Sequence, residues 1–128
     1  MSVAIITGAS SGIGREFARQ LKNIPGVDEF WFVARRAEKM EALAEELSVR
    51  AKILCADLST PEGIDVVRSA LKEEKPRVRF LVNAAGFGKF GSFDQVPEEE
   101  IVRMIDLNDK ALVLITHMTV PYMEEGGR

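Results

Sequence analysis

Four short apolar runs recur along the chain, each followed by a stretch with helical spacing. Val3–Ile6, Phe30–Ala34, Ile53–Ala56 and, apart from Arg79, Val78–Val82 are apolar on both alternating faces, the pattern of strands buried on two sides. Between them, Ile13, Phe17, Ala18, Leu21 and Ile24 form one helical stripe, Met40, Leu43, Ala44 and Leu47 a second, and Ile64, Val67, Ala70 and Leu71 a third. Ser59, Thr60 and Pro61 supply the cap-then-proline start of that third helix. Strands alternating with helices predict an α/β fold, a parallel sheet with helices on both faces. Right-handed crossovers then set a Rossmann-like strand order of 3-2-1-4.

The remaining segment reads as helix throughout. It starts at Pro97 with the acidic turn Glu98, Glu99, Glu100, runs through Ile101, Met104 and Ile105, passes Asn108 and continues to Met123. Ala111–Ile115 is apolar all round, which predicts burial on more than one side. The fourth strand is expected to be an open sheet edge, and the exposed apolar surface points to a homo-oligomer.

Composition narrows the classes. With 17 basic and 20 acidic side chains and a net charge of −3, nothing suggests nucleic acid or an anionic membrane as a partner. At 128 residues, 46% of them hydrophobic, one globular domain with a real core is expected. The first residues carry no signal-peptide pattern and no run reaches membrane-span length, so the expected compartment is the cytoplasm. The single cysteine, Cys55, excludes an internal disulfide and reads as a buried core thiol. One cysteine and one histidine leave zinc without a ligand set. His117, inside the apolar helix, reads as structural rather than catalytic.

The candidate chemistry sits in VAIITGASSGIG, where Gly8, Gly12 and Gly14 join the first strand to the first helix. The first amides of a helix lack intrahelical partners and carry the positive end of the dipole, so an anion fits there. Glycine lets the backbone turn sharply and lets a pyrophosphate approach. A turn that needs glycine only for its dihedrals would also produce glycines here. A P-loop would need Gly-Lys-Ser/Thr, whereas Gly14 is followed by Arg15 and Glu16, so nucleoside triphosphate chemistry is not expected.

These residues, in this order, resemble the short-chain dehydrogenase/reductases, nicotinamide-dependent oxidoreductases with a seven-stranded Rossmann-like sheet. TGASSGIG is similar to the family's T-G-x-x-x-G-x-G cofactor loop, which implies cofactor contacts for Thr7, Gly8, Ser10, Ser11, Gly12, Ile13 and Gly14. Asp57 and Leu58 match the acidic site after the third strand that meets the adenine ring. Asn83, Ala84, Ala85 and Gly86 match N-N-A-G, with Ala84 in place of the second asparagine. Asn108 falls at the family's catalytic asparagine, which the resemblance places at a local break in the helix that frees a backbone carbonyl and helps hold a relay water. A simple joint between two helices capped by Asn108 explains the local sequence equally well.

Charge argues for the cofactor. An NAD-preferring site usually carries a carboxylate at the end of the second strand, and here that position reads Ala34, Arg35, Arg36. Guanidinium groups hold a 2′-phosphate through paired, charge-assisted hydrogen bonds. The expected cofactor is therefore NADP(H) rather than NAD(H), with Arg35 the main 2′-phosphate ligand and Arg36 a second; solvated helix-start charges are the competing explanation. Arg35 also argues against a methyltransferase, which would want a carboxylate there for a ribose diol.

The resemblance further implies a serine and a Tyr-x-x-x-Lys pair for general-acid catalysis. This set is not found. Tyr122 is the only tyrosine and is followed four residues later by Gly126, and Ser92 is the last serine. Glu124–Arg128 reads as a flexible exposed linker. The expectation is the cofactor-binding half of a reductase that acts on a small carbonyl or alcohol substrate and cannot turn over by itself; the alternative is a non-catalytic nucleotide-binding or interaction module complete at 128 residues. Phe87, Phe90 and Phe93 could line an apolar substrate site or simply pin their loop.

Overall fold

The computed structural model describes residues Met1–Arg128. Four parallel strands, β1 (Ser2–Thr7), β2 (Glu29–Ala34), β3 (Ala51–Cys55) and β4 (Arg77–Asn83), lie in the order β3-β2-β1-β4, as the alternation predicts. Each strand reaches a residue or two beyond its apolar run at the N-terminal end, because the backbone ladder does not depend on apolar side chains. Helices α1 (Gly12–Leu21), α2 (Ala37–Leu47) and α3 (Pro61–Glu74) supply the crossovers. The pleat divides the core in two. Val3 and Ile5 join Trp31, Val33 and Leu54 under α3 residues Ile64, Val67 and Leu71. Ala4 and Ile6 join Phe30 and Phe32 under Ala18, Leu21, Met40, Leu43 and Leu47 of α1 and α2.

Helix α1 buries a narrower stripe than the pattern predicts. Gly14, Ala18 and Leu21 are buried, while Ile13, Phe17 and Ile24 are 72%, 45% and 41% exposed. The helix touches the sheet through its smallest residues, and this close approach rotates the larger apolar side chains outward. Cys55 also departs from expectation. It is exposed, because it ends an edge strand past the cover of α2, and its thiol donates to the Arg35 carbonyl at 3.1 Å.

Helix α3 starts as predicted, with Pro61 in the first turn and Thr60 Oγ1 accepting from the Gly63 amide at 3.1 Å. Gly63 was not singled out by the sequence, yet a Cβ on it would stand 1.8 Å from the Asp57 carbonyl oxygen. That contact sets how closely α3 approaches the end of β3.

From Glu98 the chain is one helical rod with an internal change of pitch: α4 (Glu98–Ile105), a π-helical segment Asp106–Ala111, α5 (Leu112–Thr119) and a final 3₁₀ turn Val120–Tyr122. At Asn108 the rod stays continuous, but its regular ladder gives way to the wider π-helical one. Ala111 and Ile115 are buried, but Leu112 and Val113 are 44% and 61% exposed, so within this chain α5 buries a single face.

The outer edge of β4 is not open. Met123 bridges Val78 in parallel, the Glu124 amide donates to the Val78 carbonyl at 2.9 Å, the Arg128 amide to the Arg79 carbonyl at 2.9 Å, and the Leu81 amide to the Arg128 carbonyl at 2.8 Å. Glu124–Arg128 is therefore no free linker, since the unpaired groups of β4 draw it into the ladder. Glu124 fastens it. The carboxylate, only 9% exposed, accepts from Ser2 Oγ at 2.6 Å and Arg79 Nη1 at 3.1 Å, with Arg77 at 3.5 Å.

Two predictions follow from these contacts. The Ser2 hydroxyl, then Arg79 and Arg77, outweigh desolvation and hold the Glu124 carboxyl below its ordinary value of 4.5. A carboxyl lowered in the folded state stabilises fully above its unfolded value and loses that contribution as pH falls from about 4.5 through the lower folded value. Acid unfolding of Glu124→Gln, followed by circular dichroism, should show a flatter stability change in that window than the wild type. Gly63→Ala should cost about 3 kcal/mol through forced backbone displacement and lower Tm by roughly 10 °C, read by thermal melts.

Candidate functional site

The ends of β1, β2 and β4 meet the start of α1, and Thr7 ties them together. It is 1% exposed; its Oγ1 accepts from the amides of Ala84 and Ala85 at 3.1 and 3.2 Å and donates to the Val82 carbonyl at 3.4 Å. The three glycines have three different reasons. Gly8 has φ +68°, and a Cβ there would stand 2.6 Å from the Ala84 carbonyl oxygen; Gly14 would meet the Gly8 carbonyl oxygen at 2.3 Å. Gly12 has φ +57° and faces open space, so its backbone can be approached from outside.

Above this crossing lies a groove of about 320 Å³. Gly8, Ser10, Ser11, Gly12 and Ile13 form one wall, and Arg35 and Arg36 stand at the end of β2. Asp57 and Leu58 close it beyond β3, and Ala84 and Gly86 face them from the loop after β4. Ala34, Ala56 and Leu107 also line the groove; nothing in their residue types distinguishes them from core, so only the fold could reveal them. Thr7 and Gly14 lie beneath the groove and shape it without lining it. Ala85 packs against the core beside α3 and α5. The Asn83 side chain turns away, donating to Thr116 Oγ1 at 3.0 Å.

The groove is electrostatically prepared for an anion at one end. Ser11, the residue before α1, is extended and makes no side-chain cap, and the first turn of α1 holds no acid. Its amides and the positive end of the dipole therefore face the groove without a side-chain acceptor. Neither Arg35 nor Arg36 is in an ion pair, although Arg19, Arg50, Arg68, Arg77 and Arg79 all are. Asp57 is the counterweight. Burial pushes its carboxyl up, but the Ser59 hydroxyl and amide, at 2.6 and 3.0 Å, and the charges of Arg103 and Arg35 more than reverse this and leave it below its ordinary value. It is ionised near neutral pH and available as an acceptor.

Asn108 lies in the π-helical segment, outside the groove lining. Its Oδ1 accepts from the Phe87 amide at 2.9 Å and its Nδ2 donates to the Phe87 carbonyl at 2.8 Å, so both ends of the amide grip one residue of the loop. A Cβ on Gly86 would stand 2.7 Å from Asn108 Oδ1, and the Arg103 guanidinium covers the Phe87 ring at 4.8 Å. Phe90 and Phe93 are exposed. His117 is exposed on α5 and Tyr122 is half-buried at the end of the rod; both line a separate cavity with Lys72, outside the groove. No group of three His, Cys, Asp or Glu side chains could hold a metal ion, and no helix is long and apolar enough to cross a membrane.

Comparison with known proteins agrees with this geometry. The chain is 37% identical over 131 residues to sulfoacetaldehyde reductase 2 of Chromohalobacter salexigens, covering 98% of this chain and 50% of that one. A short-chain dehydrogenase from Sphingobium yanoikuyae, solved in complex with NADPH, superposes with a TM-score of 0.84 at 35% identity, over 94% of this chain and 48% of the other. The bulky-bulky ketone specific alcohol dehydrogenase of Comamonas testosteroni superposes with a TM-score of 0.84 at 31% identity, over 94% and 49%. The chain thus spans about half the length of these relatives. The profile described as short chain dehydrogenase matches residues 2–128, and with the glycine crossing, the strand order and the groove in place, the chain belongs to the short-chain dehydrogenase/reductase family of oxidoreductases.

Proposed function

We propose that this chain is the cofactor-binding half of an NADP(H)-dependent oxidoreductase that interconverts a small carbonyl compound and its alcohol in the cytoplasm. The observation that carries the reading is the pairing, in one groove, of an uncapped helix start with two unpaired arginines at the end of β2. The residues present fit a phosphorylated dinucleotide. Gly12 leaves open space at the amides of α1 for the pyrophosphate. Arg35 and Arg36 stand where a ribose phosphate would need cations, and Asp57 with Leu58 supplies an acceptor and an apolar contact for the adenine.

The nicotinamide supplies or accepts the hydride when bound. The chain's own residues bind and orient. Thr7 holds β1 to the loop after β4, so that Ala84 and Gly86 keep the far wall in place. Asn108 is a positioning residue: it fixes Phe87, and the wider π segment around it displaces backbone carbonyls from the regular ladder, consistent with the relay role that the family likeness implies. No Tyr-x-x-x-Lys pair occurs in these 128 residues, so by themselves they are expected to bind cofactor without reducing carbonyls. The exposed apolar residues Val102 and Ile105 of α4 and Leu112 and Val113 of α5 form a face suited to a second copy.

Calorimetric titration tests the cofactor assignment. NADPH should bind at least tenfold more tightly than NADH, and Arg35→Ala should remove most of that difference, the loss of a charge-assisted contact. Equal affinities, or an unchanged ratio in Arg35→Ala, would defeat it. Sedimentation well above micromolar concentration should show self-association; Val113→Glu should shift the species toward monomer, and a wild-type monomer would remove the oligomer from the proposal.

A further inference from the structure

Helices α3 and α5 face one another across a cavity of about 290 Å³ that shares no residue with the cofactor groove. Arg68, Leu71 and Lys72 line it from one face of α3, His117 and Met118 line it from α5, and Pro121 and Tyr122 from the turn that ends the rod. The floor is apolar and fixed. Leu71 is 1% exposed, and Met118 and Tyr122 pack against the core under α3. The volume is close to the lower bound of small-molecule sites, about 300 Å³.

The charge on the rim has one sign. The cofactor groove contains Asp57, the cavity between α1 and α2 contains Glu46, the one beside the start of α3 contains Asp65 and Asp106, and the one between β3 and α3 contains Glu62, Asp65 and Glu73. No carboxylate lines the cavity between α3 and α5, although acidic side chains outnumber basic ones in the chain. Of its two permanent cations, Arg68 is paired with Asp65, while Lys72 takes part in no ion pair. The side chains of Lys72, His117 and Tyr122 make no hydrogen bond within the chain. The last turns of α3 and α5 favour cations, which accounts for Lys72 and His117 singly. It does not account for a tyrosine hydroxyl and an apolar floor placed between them.

We propose that this cavity binds a monocarboxylate with an apolar body, its carboxylate held at the rim by Lys72 with His117 and Tyr122 as further donors, its body resting on Leu71, Met118 and Pro121. A single unpaired permanent cation matches a single negative charge. A phosphate monoester, which carries nearly two near neutral pH, would leave the second unmatched. The Tyr122 ring offers a planar apolar body a face to pack on while its hydroxyl stays at the polar rim. This site is independent of the NADP(H) reading, since the two cavities have no residue in common.

The experiment is a calorimetric titration of the folded chain with phenylacetate, and with uncharged phenylacetamide as its control, in the absence and presence of NADPH. One phenylacetate should bind per chain and the amide at least tenfold more weakly, the loss of a charge-assisted contact; NADPH should leave the affinity unchanged, and the Met118 methyl resonance should shift on binding. Lys72→Ala should weaken phenylacetate about tenfold, and Lys72→Arg should recover part of the loss. Lys72 is exposed, so both changes leave the core intact, and circular dichroism melts check this. Absence of binding in the wild type, equal affinities for acid and amide, an unchanged affinity in Lys72→Ala, or displacement by NADPH would each overturn the proposal.

Discussion

The structure depends on a crossing of bare backbone. The end of β1, the start of α1 and the loop after β4 meet where Cβ atoms on Gly8 and Gly14 would stand 2.6 and 2.3 Å from carbonyl oxygens. Only hydrogen side chains permit that approach, and the buried Thr7 hydroxyl holds it by bonding three backbone groups at once. Because α1 sits so close, its amides open directly above the sheet ends, and the groove exists as a consequence of the packing. Ile13 and Phe17 face outward, off the narrow stripe of Gly14, Ala18 and Leu21 on which the helix rests.

Charge in the groove is separated along its length. The anion-attracting part has helix amides and unpaired arginines, while Asp57, held below its ordinary value by Ser59 and by Arg103 and Arg35, closes the groove beyond β3. Five arginines are tied to carboxylates, among them Arg79 and Arg77 to Glu124, whereas Arg35 and Arg36 are not. Two unpaired guanidinium groups beside uncapped helix amides favour an anionic ligand at that end. This contrast, more than the number of arginines, distinguishes the groove from an ordinary solvated surface.

The helical rod couples this groove to the rest of the chain. Asn108 grips Phe87 with both ends of its amide, and Asn83 reaches Thr116 about two turns further along, so the rod holds β4 and the loop after it by polar contacts at two levels. The π segment between them gives Asn108 the outward displacement it needs to reach the loop while Ala111 and Ile115 stay buried. A regular helix with the same apolar register would present the asparagine elsewhere.

Strand and helix order, the strand arrangement, the α3 cap and the glycine turn were legible in the residues, because alternation, 3.6-residue spacing and glycine's freedom are local properties. The places of Arg35 and Arg36 follow from where the second strand stops, while Asp57 was singled out by the family resemblance. Tertiary structure alone decided what depends on neighbours distant in sequence: the exposure of Cys55 at an edge, the outward turn of Ile13 and Phe17, the need for glycine at position 63, the pairing of buried Glu29 with Trp31 and Arg50, and the docking of Glu124–Arg128 on β4. It also decided which cations found partners. Pairing is a matter of which charges the fold brings within a few ångströms, and no periodicity along the chain encodes that distance.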